Sequence, residues 1–253
     1  MFEPTIIKQL KEIATAAGAI IMGFYNSSTS VEIKDDNSPV TEADIEASEF
    51  IVKKLQRITP EVPVISEESK DIPSSMKARK FWLVDPLDGT KSFIKRTGEF
   101  TVNIALVENG VPVFGVIYIP VTGVIYFTGE DKKAYRQKGK NSAPEQINTR
   151  KPPADGLVVV ASQSHRTPET DEFINKLPKV KSLISSSSSI KLCLLAEGTA
   201  DVYPRFGKTS EWDIAAGHAI LNAAGGRLVT DKCEPFLYGK PNFLNGYFVA
   251  WGN

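Results

Sequence analysis

The chain has 253 residues, 42% hydrophobic and 24% charged, and its 30 Lys and Arg balance 30 Asp and Glu to a formal net charge of zero. That balance excludes a disordered, collagenous or coiled-coil chain, and a chain of this length withdraws roughly three-quarters of its unfolded surface from water, so its core needs no staples. Zero net charge removes the counterion-release drive for a nucleic-acid polymer as partner, while two cysteines, Cys193 and Cys233, are too few for a disulfide framework and point to a reducing compartment.

No apolar run of about 18 residues is present, and the opening MFEPTIIKQLKEIATAAG lacks a continuous apolar stretch, so the chain reads as a soluble cytoplasmic protein without a transmembrane segment. No repeat recurs at a spacing of about 20–50 residues. Ile6, Leu10, Ile13, Ala17, Ile20, Ile21 and Phe24 predict an amphipathic helix over 5–25. A polar stretch, 27–39, follows. A second helix is expected over 41–57, with Ile45, Phe50, Ile51 and Leu55 on its buried side, and VPVIS (62–66) reads as a strand entering Glu67–Glu68.

FWLV (81–84) reads as a buried strand that stops at DPLDGT. The runs FTVNIALVENGVPVFGVIYIP and GVIYFTG, broken at Asn109–Gly110 and Thr122–Gly123, predict an antiparallel meander. TRKPPADG (149–156) is the best candidate boundary. Beyond it strands and helices take turns: LVVVAS, a helix near 168–177, VKSLIS, a helix near 189–198, ADVYPRF, a helix over 211–224, then RLVT and YFVAW. The expectation is a mixed α/β chain of two subdomains packed as one unit, 1–152 and 153–253.

The densest chemistry is VDPLDGTKSF, where Asp85 and Asp88 stand three residues apart and Gly89 and Thr90 follow at once. In a turn-to-helix geometry the two carboxylates point into one space, Pro86 holds the turn, and Thr90 sits at a helix start that favours an anion. Two unit charges about 4 Å apart repel by about 4 kcal/mol at an effective dielectric near 20; a hard divalent cation removes that repulsion and bridges to a phosphate. A plain surface turn has the same composition, as has a solvated acidic turn at Glu67–Glu68. Asp44 and Asp213 each lie three residues after a hydroxyl, Thr41 and Ser210, and read equally as capping-box acids or as groups facing a metal or water. The two histidines, His165 and His218, have no nucleophile elbow or Cys-His framing; His218 reads as a packed helix residue and Cys193 as core. No Walker or Rossmann fingerprint is present. Metal-assisted phosphoryl hydrolysis is the leading chemistry.

VDPLDGTKSF (84–93) with SEWDIAAGHAILNAAGG (210–226), preceded by PVTEAD (39–44) and VISEES (64–69), resembles the inositol monophosphatase superfamily of magnesium-dependent, lithium-sensitive phosphatases. The resemblance implies a five-layer αβαβα sandwich and two to three Mg²⁺ ions. It assigns Glu67, Asp85 and the Leu87 carbonyl to one magnesium, Asp85, Asp88 and Asp213 to a second, and Glu67 with water to a weaker third. Asp44 and Thr90 match the pair that orients and deprotonates the attacking water, the Gly89 and Thr90 amides match the phosphate cradle, and Glu68 has a supporting place. Attack by water in line with the departing alcohol implies no phosphoenzyme.

SQSHRTPET (162–170), SSSSIKLCLLAEGTADVYPRFG (186–207) and SEWDIAAG resemble the CysQ-type 3′(2′),5′-bisphosphate nucleotidases, which convert adenosine 3′,5′-bisphosphate (PAP) to AMP and phosphate in sulfur metabolism. The resemblance places His165, Ser188, Lys191 and Arg205 against the nucleotide, with PAPS as a second substrate. Composition alone also allows 185–189 to be a flexible linker, Lys191 and Arg205 to be solvated charges, His165 to be a loop residue, and Ser187 to take the place of Ser188. An inositol or broad sugar phosphatase and a catalytically silent nucleotide-binding regulator stay open at this point. Oligomeric state is not legible, and a peripheral place at the inner face of a membrane, known in this branch, is not demanded by the charge pattern.

Overall fold

The computed structural model describes residues 3–27, 31–33, 39–69 and 78–253. The polar stretch at 27–39 therefore lies mostly outside the described residues. In chain order the elements are α1 (Pro4–Tyr25), β1 (Val31–Ile33), β2 (Pro39–Thr41), α2 (Glu42–Ile58), β3 (Val64–Ser66), β4 (Lys80–Asp88), α3 (Thr90–Ile94), β5 (Thr101–Glu108), β6 (Val111–Ile119), β7 (Val124–Thr128), β8 (Ala134–Lys138) and β9 (Glu145–Ile147). There follow β10 (Leu157–Ser162), α4 (Pro168–Asn175), β11 (Val180–Ser186), α5 (Ile190–Ala196), β12 (Val202–Arg205), α6 (Glu211–Ala223), β13 (Arg227–Thr230) and β14 (Phe248–Trp251). No described helix is long and apolar enough to cross a membrane.

Strands β3 to β9 form a seven-stranded sheet in sequence order, parallel only at β3–β4. Strands β11-β10-β12-β14-β13 form a second, five-stranded sheet, and the segment 149–156 runs between the two. Alternate residues of each strand face opposite sides, and the core sorts accordingly. Trp82, Val84, Val102 and Ile104 pack under α1 and α2 with Leu10, Ile21, Ile51 and Leu55. Phe81, Leu83, Ala105 and Val107 face the other way, onto Ala215, Ile220 and Leu221 of α6, which also meets Tyr203 and Phe248 of the second sheet. Val159, Val202 and Val249 close the far side against Ile174 of α4. The layers are thus α, β, α, β, α, the expected five-layer sandwich.

Helix α6 is the shared middle layer, and it sits tight. A Cβ on Gly115 of β6 would lie 2.2 Å from the Ala216 carbonyl oxygen, so only glycine admits this approach of helix to sheet. The start of α6 is clamped by Glu211, wholly buried, whose carboxylate accepts the Gly239 and Lys240 amides (2.8 and 2.9 Å) and pairs with Lys240 Nζ at 2.8 Å. His218 is buried as expected, its Nδ1 3.0 Å from the Tyr238 hydroxyl, and burial pushes its imidazole down to about 3. Cys193 is core and Cys233 is exposed.

Four expectations are corrected. Ile45 is 43% exposed; Ala43 and Ala47 take its place on the buried face of α2, because the stripe that meets β4 is narrower than the apolar pattern suggests. The VPVIS strand begins only at Val64, and the meander extends through β8 and β9 beyond the runs that betrayed it. Strand β4 does not stop at Val84. It continues to Asp88 through a bulge, with Asp85 opposite Asn103 and Asp88 opposite Thr101. Pro86 lies in that bulge, where a strand needs no donor from it.

The close fit at Gly115 generates a prediction. Gly115→Ala must push α6 off the sheet and is expected to destabilise the protein by about 2 kcal/mol, read as a lower urea midpoint; an unchanged midpoint would show that the helix is not held there.

Candidate active site

The bulge of β4 aims its acids toward the start of α6. Asp85 is 1% exposed, and ligand-capable atoms of Glu67, Asp85 and Asp213 all lie within 4.8 Å of one another. One Asp85 oxygen accepts the Leu87 amide at 3.1 Å, an Asx-type turn that holds the bulge. Burial, and then Glu67, Asp88, Asp213 and Asp44 in that order, push the Asp85 carboxyl well above the usual carboxylate range. Asp213 is pushed up to about 7 by burial and by Asp88, against the opposing pull of the Ser210 amide and of Arg205 and Lys191. A set of oxygen donors that resists ionising when alone is the donor chemistry of a hard cation, so these residues fit a metal ion.

Both capping boxes form. Thr41 N–H and hydroxyl donate to Asp44 Oδ2 at 2.8 and 2.6 Å, and Ser210 N–H donates to Asp213 Oδ2 at 2.8 Å. Capping and the site are not alternatives here: each acid spends one oxygen on its helix start while its position brings it to the acid cluster. The Thr90 hydroxyl lies 3.3 Å from Asp44 Oδ1 and 3.2 Å from the Leu87 carbonyl oxygen. Gly89, at φ +96°, turns β4 into α3; a Cβ there would lie 2.9 Å from the Glu99 carbonyl oxygen. Left-handed backbone and close approach together demand glycine. The Gly89 and Thr90 amides precede the first intrahelical bonds of α3, from Ser92 and Phe93 to the Gly89 carbonyl. Glu68 shares the turn after β3 with Glu67 but is not one of the clustered trio.

A cleft of about 390 Å³ opens over these groups, and Glu67, Asp88 and Asp213 line it together with Lys191 and Arg205. Neither cation is a solvated surface charge. Lys191 is 6% exposed, and burial pushes its ammonium down to about 8; it donates to the Ser188 carbonyl oxygen at 2.6 Å and lies 5.3 Å from the Tyr203 ring centroid. Arg205, 7% exposed, donates to the His165 and Lys208 carbonyl oxygens at 3.1 and 3.0 Å. His165 stands at the cleft rim, Nε2 3.1 Å from Lys91 Nζ, and loss of water around its ring, followed by Lys91, Arg205 and Lys191, pushes it down to about 4.

The serine run is not a linker: it ends β11 and starts α5. It also separates Ser187 from Ser188. The Ser187 hydroxyl donates to Gln163 Oε1 at 2.9 Å, whereas the Ser188 hydroxyl is buried in the cleft wall with no hydrogen-bond partner among the described residues, on a residue at φ +51°. Sequence reasoning missed Lys91, Lys208 and Ser189, which line the same cleft, and Asn103, which bonds Ser189. Lys91 stands beside Thr90 in DGTKSF and adjacency could have found it; the others come from elements whose meeting no spacing reports.

Comparison with known proteins follows from this geometry. Residues 4–248 match the inositol monophosphatase family. The chain is 46% identical over 250 residues to the 3′(2′),5′-bisphosphate nucleotidase CysQ of Salmonella typhimurium, covering 96% of this chain and 98% of that one. Among solved structures it is similar to CysQ from Bacteroides thetaiotaomicron, described as a bacterial member of the inositol monophosphatase family, at 42% identity and a TM-score of 0.84, covering 99% and 98% of the two chains. An inositol monophosphatase from Anabaena shares 26% identity at a TM-score of 0.77, covering 98% and 91%. A match that runs from the first helix to the last strand, with the acids on the same layered scaffold, leads to one conclusion: the chain belongs to the inositol monophosphatase family.

Proposed function

We propose that this protein is a magnesium-dependent 3′(2′),5′-bisphosphate nucleotidase that hydrolyses the 3′-phosphate of adenosine 3′,5′-bisphosphate to give AMP and phosphate, with PAPS as a second substrate. The observation that carries the reading is one cleft lined both by carboxylates and by two buried cations, Lys191 and Arg205. The similarity to CysQ nucleotidases supports it. A single phosphate on an inositol ring leaves those cations without a partner; a nucleotide with a second phosphate satisfies them.

Glu67, Asp85, Asp213, Asp88 and the Leu87 carbonyl would hold two to three Mg²⁺ ions. When bound, the ions supply a lower pKa for water, polarisation of the phosphoryl group and charge compensation at the departing oxygen. The chain's own residues do the rest. The Gly89 and Thr90 amides orient the phosphate at the start of α3. Thr90 donates its hydroxyl proton to Asp44, so its lone pairs are free to accept a proton from the attacking water and pass charge toward Asp44 Oδ1. Asp44 is itself held by Thr41, which fixes the relay. Arg205, Lys191, His165 and the Ser188 hydroxyl take the nucleoside and second phosphate, with Lys91 and Lys208 at the rim. Neutral at working pH, His165 offers a ring edge or face rather than a charge.

Three outcomes test this reading. Asp88→Asn removes a ligand carboxylate, and because outer partners of metal ligands alone are worth about 10- to 100-fold, phosphate release from PAP should fall by about 100-fold or more. Near-full activity would remove the metal argument. Arg205→Ala should raise KM for PAP about tenfold or more through lost charge-assisted bonds, while inositol 1-phosphate or fructose 1,6-bisphosphate turnover changes little. A parent protein that prefers those two substrates to PAP would sink the nucleotide reading.

Stability should also follow pH with a defined sign. Folded Asp85 and Asp213 have raised pKa values, so without metal the folded state holds protons that unfolded carboxylates release near about pH 4. Their contribution is complete below that pH and is lost as pH rises through about 7. Tm in chelator should therefore fall between about pH 5 and about pH 8, and MgCl₂ should flatten the slope. A chelated Tm that climbs over that range would contradict the acid cluster.

A further inference from the structure

Serine at the start of a helix ordinarily turns its hydroxyl onto the helix's own free amides. Ser189, which precedes α5, does not: its side chain makes no cap bond. Its hydroxyl oxygen lies instead 2.8 Å from Asp88 Oδ2 and 2.7 Å from the Asp213 carbonyl oxygen. The same oxygen accepts a hydrogen bond from Asn103 Nδ2 at 2.7 Å, and that amide also reaches Asp88 Oδ2 at 3.3 Å. Ser189 is 3% exposed and Asn103 1%. Asn103 of β5 and Ser189, at the start of α5, thus converge on one oxygen of one carboxylate, and the same serine hydroxyl meets the first turn of α6.

The proton count decides the direction. A serine hydroxyl has one hydrogen for two acceptors, and an ionised carboxylate is the stronger of the two. The Ser189 proton therefore belongs to Asp88, and the Asn103 amide, filling a serine lone pair, orients the hydroxyl for it. The arrangement leaves Asn103 Oδ1 buried with no hydrogen-bond partner among the described residues, a cost of the orientation its amide nitrogen takes toward Ser189 and Asp88.

We infer that Ser189 and Asn103 are positioning residues for Asp88: together they hold its Oδ2 and so present the other carboxylate oxygen to the cation site in the cleft. The inference rests on the reading of Asp88 as a cation ligand. The effect of the two residues is on the affinity of the site for its ion, because a ligand whose orientation is set before binding loses less freedom when the ion arrives.

The test is calorimetric titration of the chelated, metal-free protein with MgCl₂, comparing the parent with Ser189→Ala, Asn103→Ala and the double variant. Each single substitution is expected to weaken Mg²⁺ binding by about 10- to 100-fold. The double variant is expected to lose little more than the worse single one, because both act through the same oxygen. If one single variant fails to fold, the other decides. Unchanged Mg²⁺ affinity in a folded single variant overturns the inference, as do losses that multiply in the double variant. A parent that binds no Mg²⁺ overturns the cation reading of the site itself, and this inference with it; a parent that binds while the variants match it overturns only the positioning role.

Discussion

The structure depends on a repulsion that it tolerates. Five carboxylates from distant parts of the chain, Asp44, Glu67, Asp85, Asp88 and Asp213, act on one another strongly enough that each of the other four raises the pKa of Asp85. At an effective dielectric near 20, two such charges about 4 Å apart cost about 4 kcal/mol, comparable with the whole stability margin of a domain. Such a cluster persists because the surrounding core is large and because a cation, when present, reverses the sign of the interaction.

The fold offsets the repulsion separately at four of the five acids. Asp44 and Asp213 each give an oxygen to the first turn of a helix, where amides and the macrodipole favour negative charge. Asp85 is held by the Leu87 amide within the bulge, and Asp88 by Ser189 and Asn103. What remains is to keep the helix starts in place. For α6 this falls to the Glu211 clamp and to the fit of Ala216 over Gly115, so side chains far from the cleft determine where Asp213 stands.

The cations that line the same cleft are built in on the same logic with the charges inverted. Lys191 and Arg205 are buried, each tied to main-chain carbonyls that hold them without neutralising them. Burial weakens the hold of Lys191 on its proton, while Asp88 strengthens it.

Much of this was legible in one dimension. Periodicity located α1, the meander and the alternating second half, because helices and half-buried strands impose their periods on apolar residues. The resemblance in PVTEAD, VISEES, VDPLDGTKSF and SEWDIAAG named every acid of the cluster, and the hydroxyl three residues before Asp44 and Asp213 announced two helix starts that did form. The sequence by itself determined the local devices: which residues cap, which turn, and which acids exist to be gathered. Only tertiary structure decided that β4 runs on through a bulge, that Ile45 faces water, that Ser188 rather than Ser187 keeps a free hydroxyl, and that Ser189 and Asn103 meet at Asp88. The serine and asparagine contacts join groups between 15 and 101 residues apart, and no local propensity encodes a contact whose partner arrives only when the layers close.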